Sequence, residues 1–191
     1  MNDYDTISDD YIKSHEKPDK KYSMLPTTLK ILGSLKGKVV IDVGCGDGFF
    51  TKEFAKNAKL VLGIDNSEEQ IKKTNSISNA KFILADMNEF SYPAVDIIFS
   101  PYVLNYLKSQ KQLESLFQNF YSALNVGGIF AGIVDMPQSI VHDMKRFGSI
   151  KKISSLEEGK KIDIELYSEE EYITTLHSFY HTKGTIEKLL Y

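Results

Sequence analysis

The residues best suited to bind a ligand form a short run of an acid and glycines near the start of the chain. Asp42 is followed by Gly44, Gly46 and Gly48 at alternating positions. A glycine has no Cβ atom, so it can take a positive φ and let a ligand lie against the backbone. A helical pattern begins at Phe49, and the first N–H groups of a helix are unpaired and favour anionic groups. The run predicts a phosphate-binding or nucleotide-binding turn between a strand and a helix.

The spacing of the glycines separates the candidate ligands. A dinucleotide fingerprint needs its third glycine at the position of Phe49, and a P-loop needs a Gly-Lys-Ser/Thr sequence after the turn. The chain has neither. Asp-Val-Gly-Cys-Gly-Asp-Gly, which begins at Asp42, instead resembles the first motif of the class I S-adenosylmethionine (AdoMet)-dependent methyltransferases. The alternative is an ordinary tight turn, which the acid, the three glycines and the flanking elements disfavour.

The elements around this turn predict an α/β fold. Short apolar runs typical of buried parallel strands occupy residues 39–43, 60–64, 82–85, 96–100 and 129–136. Helical patterns lie between them, including 24–35 and an amphipathic segment at 109–124 that ends at Gly127 and Gly128. The resemblance implies a Rossmann-like, doubly wound, mostly parallel sheet with strand order 3-2-1-4-5 and helices on both faces. The family's C-terminal hairpin is expected to be missing.

The resemblance also assigns residues to AdoMet. They are Asp42, Gly44, Cys45, Gly46, Asp65, Asn66, Asp86, Met87 and Ser100. It implies that Asp42 orients the ammonium group, directly or through water, and that the glycine turn passes the methionine part. Asp65 would accept hydrogen bonds from the ribose, and Asp86 would face the adenine. A solvated loop acid for Asp86 and a core side chain for Met87 stay open as alternatives, and Ser67 is expected to cap the helix that follows Asp65.

Fewer sequence features identify the residues that would bind the methyl acceptor. Tyr11, Tyr22, Tyr102 and His181 are candidates for the substrate pocket. The alternatives are an N-terminal arm whose tyrosines pack on the domain, a packing role for Tyr102, and a surface or core position for the histidine. Phe-Ser-Pro-Tyr, ending at Tyr102, departs from the Asn-Pro-Pro-Tyr of the branch that methylates nucleic-acid base amines and glutamine amides. This departure argues against that branch.

The last third of the chain is less informative. Residues 141–153 form a modest basic cluster that we interpret as a solvated face, and 154–161 is a candidate linker. Residues 162–166 alternate like a half-exposed strand. Residues 169–176 predict a helix with a capping box between Ser168 and Glu171, and 178–181 a short strand. Residues 182–190 predict a last helix capped by Thr182.

We therefore expect one methyltransferase domain over residues 1–191. It comprises an N-terminal lid and helix at 1–35, an AdoMet-binding core at 36–136 and a substrate-side cover at 137–191. Five parallel strands would leave the fifth strand at the sheet edge, which proteins normally cover. We expect it to be covered by residues 162–166 or 178–181, or by a second subunit in a homodimer.

Composition limits the possible partners. The 191 residues carry a formal net charge of −3, and Arg146 is the only arginine. This balance disfavours nucleic acid as a partner. Cys45 is the only cysteine, so an internal disulfide and a cysteine-rich metal site are excluded. The polar start and the lack of a long apolar run predict neither a signal peptide nor a membrane span, and hence a cytoplasmic protein.

The function implied by the resemblance is methyl transfer from AdoMet to an O, N or C nucleophile of a small molecule. A general base is needed only if the acceptor must first lose a proton, and His177, His181 and Asp135 are its candidates. The main alternative is a non-catalytic AdoMet-binding subunit or regulator. A nucleic-acid or protein methyltransferase is less favoured, and a nicotinamide-dependent oxidoreductase does not fit the glycine spacing.

Overall fold

The computed structural model of the chain describes residues 20–168 and 170–190. Five strands form a parallel sheet in the order β3-β2-β1-β4-β5. The strands are β1 (Val39–Val43), β2 (Leu60–Asp65), β3 (Ala80–Leu84), β4 (Val95–Pro101) and β5 (Leu124–Ile133). The strand order expected from the sequence is confirmed.

Within the described residues, five α-helices accompany the strands. They are α1 (Leu25–Leu32), α2 (Phe49–Ala55), α3 (Glu68–Lys72), α4 (Gln110–Ala123) and α5 (Lys183–Leu190). Two expected helix caps are present, because Ser67 accepts a bond from the Gln70 N–H and Thr182 accepts one from the Thr185 N–H. Ser109 and Gln112 form a capping box at the start of α4.

The central strand β1 is buried on both faces, as its apolar sequence requires. Ile41 and Val43 belong to one apolar cluster with side chains of α4, whereas Val40 belongs to a second cluster with side chains of α2. Burying each of these side chains stabilises the fold by about 1.5–3 kcal/mol. Asp42 is the one charged residue of β1 and is also fully buried.

The connection from α4 to β5 differs from the expectation. The helix ends at Ala123, and Leu124 is already extended, with φ −72° and ψ 128°. Gly127 takes φ +77° inside the strand, where the pairing of β5 with β4 is irregular. Gly127 therefore shapes an irregular start of the strand, and the expectation that it ends the helix was wrong.

A second, antiparallel sheet follows in the order β6-β7-β8-β9. Its strands are β6 (Val141–Met144), β7 (Ser149–Ile153), β8 (Lys161–Ser168) and β9 (Glu171–Phe179). The helix expected at 169–176 was wrong, because Tyr172, Thr174 and Thr175 favour a strand and pair with β8. The basic segment 141–153 also belongs to this sheet and forms two strands joined by a 3₁₀ turn.

The outer edge of β5 pairs with no further strand among residues 20–168 and 170–190. The expectation that 162–166 or 178–181 covers this edge was wrong, because both lie in or beside the antiparallel sheet. Pairing of this edge with a second subunit stays a prediction. In the described part of the chain, every helix is too short or too polar to cross a bilayer.

Candidate active site

A cavity lies at the carboxyl ends of β1, β2 and β4, where open α/β sheets bind their ligands. The turn after β1 contributes Gly44, Cys45 and Gly46, and the end of β2 contributes Asp65 and Asn66. The sequence placed these five residues at the cofactor, and the structure brings them together on one wall.

The glycine turn is held against β2 by backbone hydrogen bonds. The N–H groups of Gly44 and Cys45 both donate to the carbonyl of Ile64, at 2.8 and 3.0 Å. Gly44 has φ +71°, and a Cβ atom there would lie 2.2 Å from Cγ2 of Val103. A larger residue would therefore be strained and would also collide with Val103. Gly44 is required for both reasons.

Asp65 fixes the same turn from the end of β2. Its Oδ2 accepts from the Gly46 N–H at 2.8 Å, and its Oδ1 accepts from the Ser67 N–H at 2.8 Å. A carboxylate oxygen has two lone pairs and can accept hydrogen bonds from more than one donor. Asp65 is thus rigidly placed on the cavity wall, where it can accept hydrogen bonds from a ligand.

Asp42 lies beneath the turn and is not part of the described cavity lining. Its Oδ2 accepts from Oγ1 of Thr51 at 2.6 Å, whereas Oδ1 has no hydrogen-bond partner within the described residues. Burial raises the pKa of Asp42 to about 7, with smaller contributions from the charges of Asp65 and Asp47. The ionised form of a carboxyl group with this pKa can pair with a cation that approaches through the glycine turn.

The segment after β3 contributes apolar atoms to the cavity. Ala85 and Met87 line it, and the carbonyl of Met87 accepts from the Tyr92 hydroxyl at 2.8 Å. Asp86 is exposed, and its Oδ1 accepts from the backbone N–H and the side-chain amide of Asn88. Its carboxylate therefore serves a surface turn, and the structure does not bring Asp86 to the described lining.

The end of β4 supplies a strained tyrosine. Tyr102 lines the cavity and has φ +59°, a conformation that costs a residue with a Cβ atom about 1–2 kcal/mol. Its N–H donates to the carbonyl of Ile133 at 2.6 Å, and its hydroxyl lies 3.6 Å from Sδ of Met24. Such strain clusters at functional sites. Ser100, one position before Pro101, is fully buried and is not part of the described lining.

Other predicted acceptor residues lie elsewhere. Tyr22 is 73% exposed and lies outside the described lining. His181 is buried and lies between the carboxylate of Glu158, at 2.5 Å, and the carbonyl of Leu107, at 2.8 Å. Its prediction as a pocket residue was wrong, because this pairing ties the ring to the loop between β7 and β8 and to the segment before α4. Tyr11 lies outside the described residues.

The candidate general bases also lie away from the cavity. His177 is exposed on the antiparallel sheet and pairs with Asp163 at 2.9 Å. Asp135 is buried and forms an ion pair with Lys151 of β7. Neither these two nor His181 belongs to the described lining, so the structure does not support a role for them as bases.

Sequence reasoning missed part of the wall. Phe49 and Tyr106 line the cavity beside Tyr102, and Gln70 of α3 lines it beside the glycine turn. Phe49 directly follows the motif and could have been found from its position. Gln70 carries no comparable signal, because a glutamine on a short polar helix resembles a solvated residue.

Comparison with known proteins places the chain among methyltransferases. A family model described as "Methyltransferase domain" matches residues 34–178. Phosphoethanolamine N-methyltransferase of Triticum aestivum is 40% identical over 111 residues, which cover 54% of this chain and 22% of that protein. The chain thus spans about a fifth of the length of this relative.

Solved structures share the fold. An S-adenosylmethionine-dependent methyltransferase from Clostridium acetobutylicum superposes with a TM-score of 0.67 at 17% identity, covering 99% of this chain and 86% of that one. Phosphoethanolamine N-methyltransferase 1 of Haemonchus contortus, in complex with phosphoethanolamine and S-adenosylhomocysteine, gives 0.58 at 23% identity. That match covers 73% of this chain and 34% of the other.

Proposed function

We propose that this chain, which belongs to the class I AdoMet-dependent methyltransferases, transfers a methyl group from AdoMet to a small molecule. The observation that carries the proposal is the single cavity at the carboxyl ends of β1, β2 and β4. Its wall joins the glycine turn and Asp65 directly to the aromatic side chains of Tyr102 and Tyr106. A donor and an acceptor could therefore meet in one cavity.

The residues present fit AdoMet. Gly44 and Gly46 would let its methionine part lie against the backbone, and Asp65 would accept hydrogen bonds from the ribose hydroxyls. Met87 and Ala85 would flank the adenine. The oxygen of Asp42 that has no hydrogen-bond partner in the described part of the chain would attract the ammonium group through the turn, either directly or through water. When bound, AdoMet supplies an electrophilic methyl group on a positively charged sulfur.

The chain's own contribution is placement. Asp65 is held by two backbone N–H groups and the turn by the carbonyl of Ile64, so the donor side is rigid before any ligand arrives. Alignment of reacting groups can supply roughly 7–11 kcal/mol of a barrier. Tyr102 is fixed by its backbone bond to Ile133, so it can hold an acceptor and exclude water from that side.

We propose an amine as the acceptor. Phe49, Tyr102 and Tyr106 line the cavity, and aromatic ring faces attract ammonium groups by about 0.5–2 kcal/mol each. An ammonium nitrogen has no lone pair, so the acceptor must release its proton to water before it attacks the methyl group. The ring faces then stabilise the ammonium that methylation forms. Lys20 already lies 5.9 Å from the centre of the Phe49 ring, which shows that a cation can occupy that ring face. The names of two relatives, both phosphoethanolamine N-methyltransferases, agree with a small amine.

The experiment is transfer of a labelled methyl group from AdoMet to a panel of small amines that includes phosphoethanolamine, alongside phenols and thiols. We expect turnover with at least one amine and a large loss in Y102A. The control is Y172A, because Tyr172 is exposed on the antiparallel sheet. Binding of AdoMet without turnover on any acceptor would favour the non-catalytic subunit instead, and transfer to RNA or DNA alone would favour a nucleic-acid methyltransferase.

A further inference from the structure

A second cavity lies between α1 and β5, beside the proposed active site. Its described lining includes Thr27, Thr28 and Ile31 of α1, and Ala131 and Ile133 of β5. Within this lining every side chain is apolar or carries a hydroxyl group, and none is charged. We expect the group that enters this cavity to be apolar, because a charged group would lose its hydration and find no ion pair there.

The two cavities are adjacent at two points. Met24 lines both of them, and its Sδ lies 3.6 Å from the hydroxyl of Tyr102. Tyr102 lines the first cavity and Ile133 the second, and the N–H of Tyr102 donates to the carbonyl of Ile133 at 2.6 Å. A methionine side chain is unbranched and turns about three bonds, so Met24 can move aside for a chain that passes from one cavity to the other.

The wall of the second cavity exposes apolar surface. Ile31 is 62% exposed, although Phe99 on the same wall is buried. Exposed apolar surface that continues from a binding cavity is typical of a ligand groove. Covering this surface with a hydrocarbon would remove apolar area of both the protein and the ligand from water, which favours binding.

We propose that the acceptor is an amine with a hydrocarbon tail, and that the second cavity holds this tail. This inference rests on the proposed function, in which aromatic side chains of the first cavity hold the amine. The amine would lie beside Tyr102, and the tail would pass Met24 and follow α1. A phosphoamine fits this path less well, because Lys20 is the only cationic residue in the described linings of the two cavities.

The first test is calorimetric binding of alkylamines to the protein saturated with S-adenosylhomocysteine. Ethylamine, butylamine, hexylamine and octylamine carry the same ammonium group and differ only in the length of the tail. We expect the affinity to rise about two- to fourfold for each added methylene, so that hexylamine binds at least roughly tenfold more tightly than ethylamine. Equal affinities along the series, or tighter binding of phosphoethanolamine than of hexylamine, would overturn the inference.

The second test assigns the tail to the second cavity. T27F and A131L each place a larger side chain on its wall, one from α1 and one from β5. We expect each variant to lower the ratio of hexylamine affinity to ethylamine affinity at least roughly fivefold. The matched control is S115F, because Ser115 is exposed on α4, which packs in a different apolar cluster from α1. S115F should keep the wild-type ratio.

Binding of S-adenosylhomocysteine by each variant verifies that it is folded. Thr27 is exposed, so T27F should pass this check even if A131L does not. A wild-type ratio in every folded variant would overturn the inference, because the tail would then lie outside the second cavity. Failure of the wild type to bind S-adenosylhomocysteine, or to methylate any amine, would instead overturn the proposed function, and this inference with it.

Discussion

The carboxylate of Asp65 accepts a hydrogen bond from the backbone N–H of Gly46 at 2.8 Å. This bond joins the end of β2 to the turn that follows β1, across a parallel strand pair whose register runs from Val39 to Val43. The carboxylate of Asp65, which we propose binds the cofactor, therefore also shapes the glycine turn. Two elements of the site are fixed by one interaction.

The two glycines of the turn should differ in their tolerance of alanine. A Cβ atom on Gly44 meets Cγ2 of Val103 at 2.2 Å, whereas one on Gly46 meets only Oε1 of Gln70 at 3.6 Å. Both have positive φ, which costs alanine about 1–2 kcal/mol. Chemical denaturation should show that G44A loses more stability than G46A, and that adding V103A restores part of the difference. Equal losses in the two alanine variants would contradict the contact.

Asp42 should make stability fall as pH rises towards neutrality. Its pKa is raised from 3.8 to about 7 in the folded protein, so the folded state binds the proton more tightly than the unfolded state. The stabilising contribution is complete below pH 3.8 and is lost as pH rises through 7. The slope reaches at most about 1.4 kcal/mol per pH unit.

The check on Asp42 is urea unfolding of the wild type and D42N between pH 5 and 8. The lowered pKa values of Asp96, Glu158, Asp163 and Glu165 keep those acids out of this window. Taking the difference between the two proteins cancels the contributions of the histidines. We expect the advantage of the wild type over D42N to shrink as pH rises, and a constant difference would show that Asp42 does not titrate there.

The protein should be less stable with alanine at position 102 than with glycine there. Its φ of +59° is a conformation that glycine adopts freely and that alanine does not. Both variants lose the ring, so their difference reports the backbone alone. Thermal or urea unfolding should find Y102G more stable than Y102A by about 1 kcal/mol. If Y102A proved the more stable of the two, the strain at this position would be refuted.

Asn105 should be essential for attaching the antiparallel sheet. Its Nδ2 donates to the carbonyls of Phe179 and Asp135, at 2.9 and 3.2 Å, and its Oδ1 accepts from the Asp135 N–H at 2.8 Å. Because N105A would leave buried backbone groups unpaired, it should cost about 2–4 kcal/mol of unfolding free energy. The exposed Asn75 provides the control, since N75A should stay within about 0.5 kcal/mol of the wild type. A small loss in N105A would mean that the sheets are joined by other contacts.

The parts of the fold that local patterns specify were predictable. The apolar run of β1 and the stripe of α4 bury their side chains where the sequence indicates, and the glycine turn lies against Asp65 because both follow parallel strands. The hairpin of β8 and β9 was not predictable, because Ser168 and Glu171 have the spacing of a helix capping box. The cross-strand pairing with β8 outweighed that local signal.

The site itself was predictable only where a backbone motif defines it. Gly44, Gly46 and Asp65 line the cavity because their positions follow from the strands that precede them. His181 could not be placed, because its partners Glu158 and Leu107 are distant in sequence. Gln70 could not be recognised, because only the three-dimensional structure shows that its amide is buried and has no hydrogen-bond partner among the described residues.

Calorimetric titration of S-adenosylhomocysteine into the wild type, D65A and E68A tests most directly whether Asp65 holds the nucleoside. Glu68 is an exposed acid on the same segment, paired at the surface with Lys72, and serves as the control. We expect saturable one-to-one binding by the wild type and E68A. In D65A the affinity should fall at least tenfold, since a hydrogen bond to a charged group is worth about 1.5–3 kcal/mol. Equal affinity in D65A, or no binding by the wild type, would contradict the proposal that Asp65 holds the nucleoside.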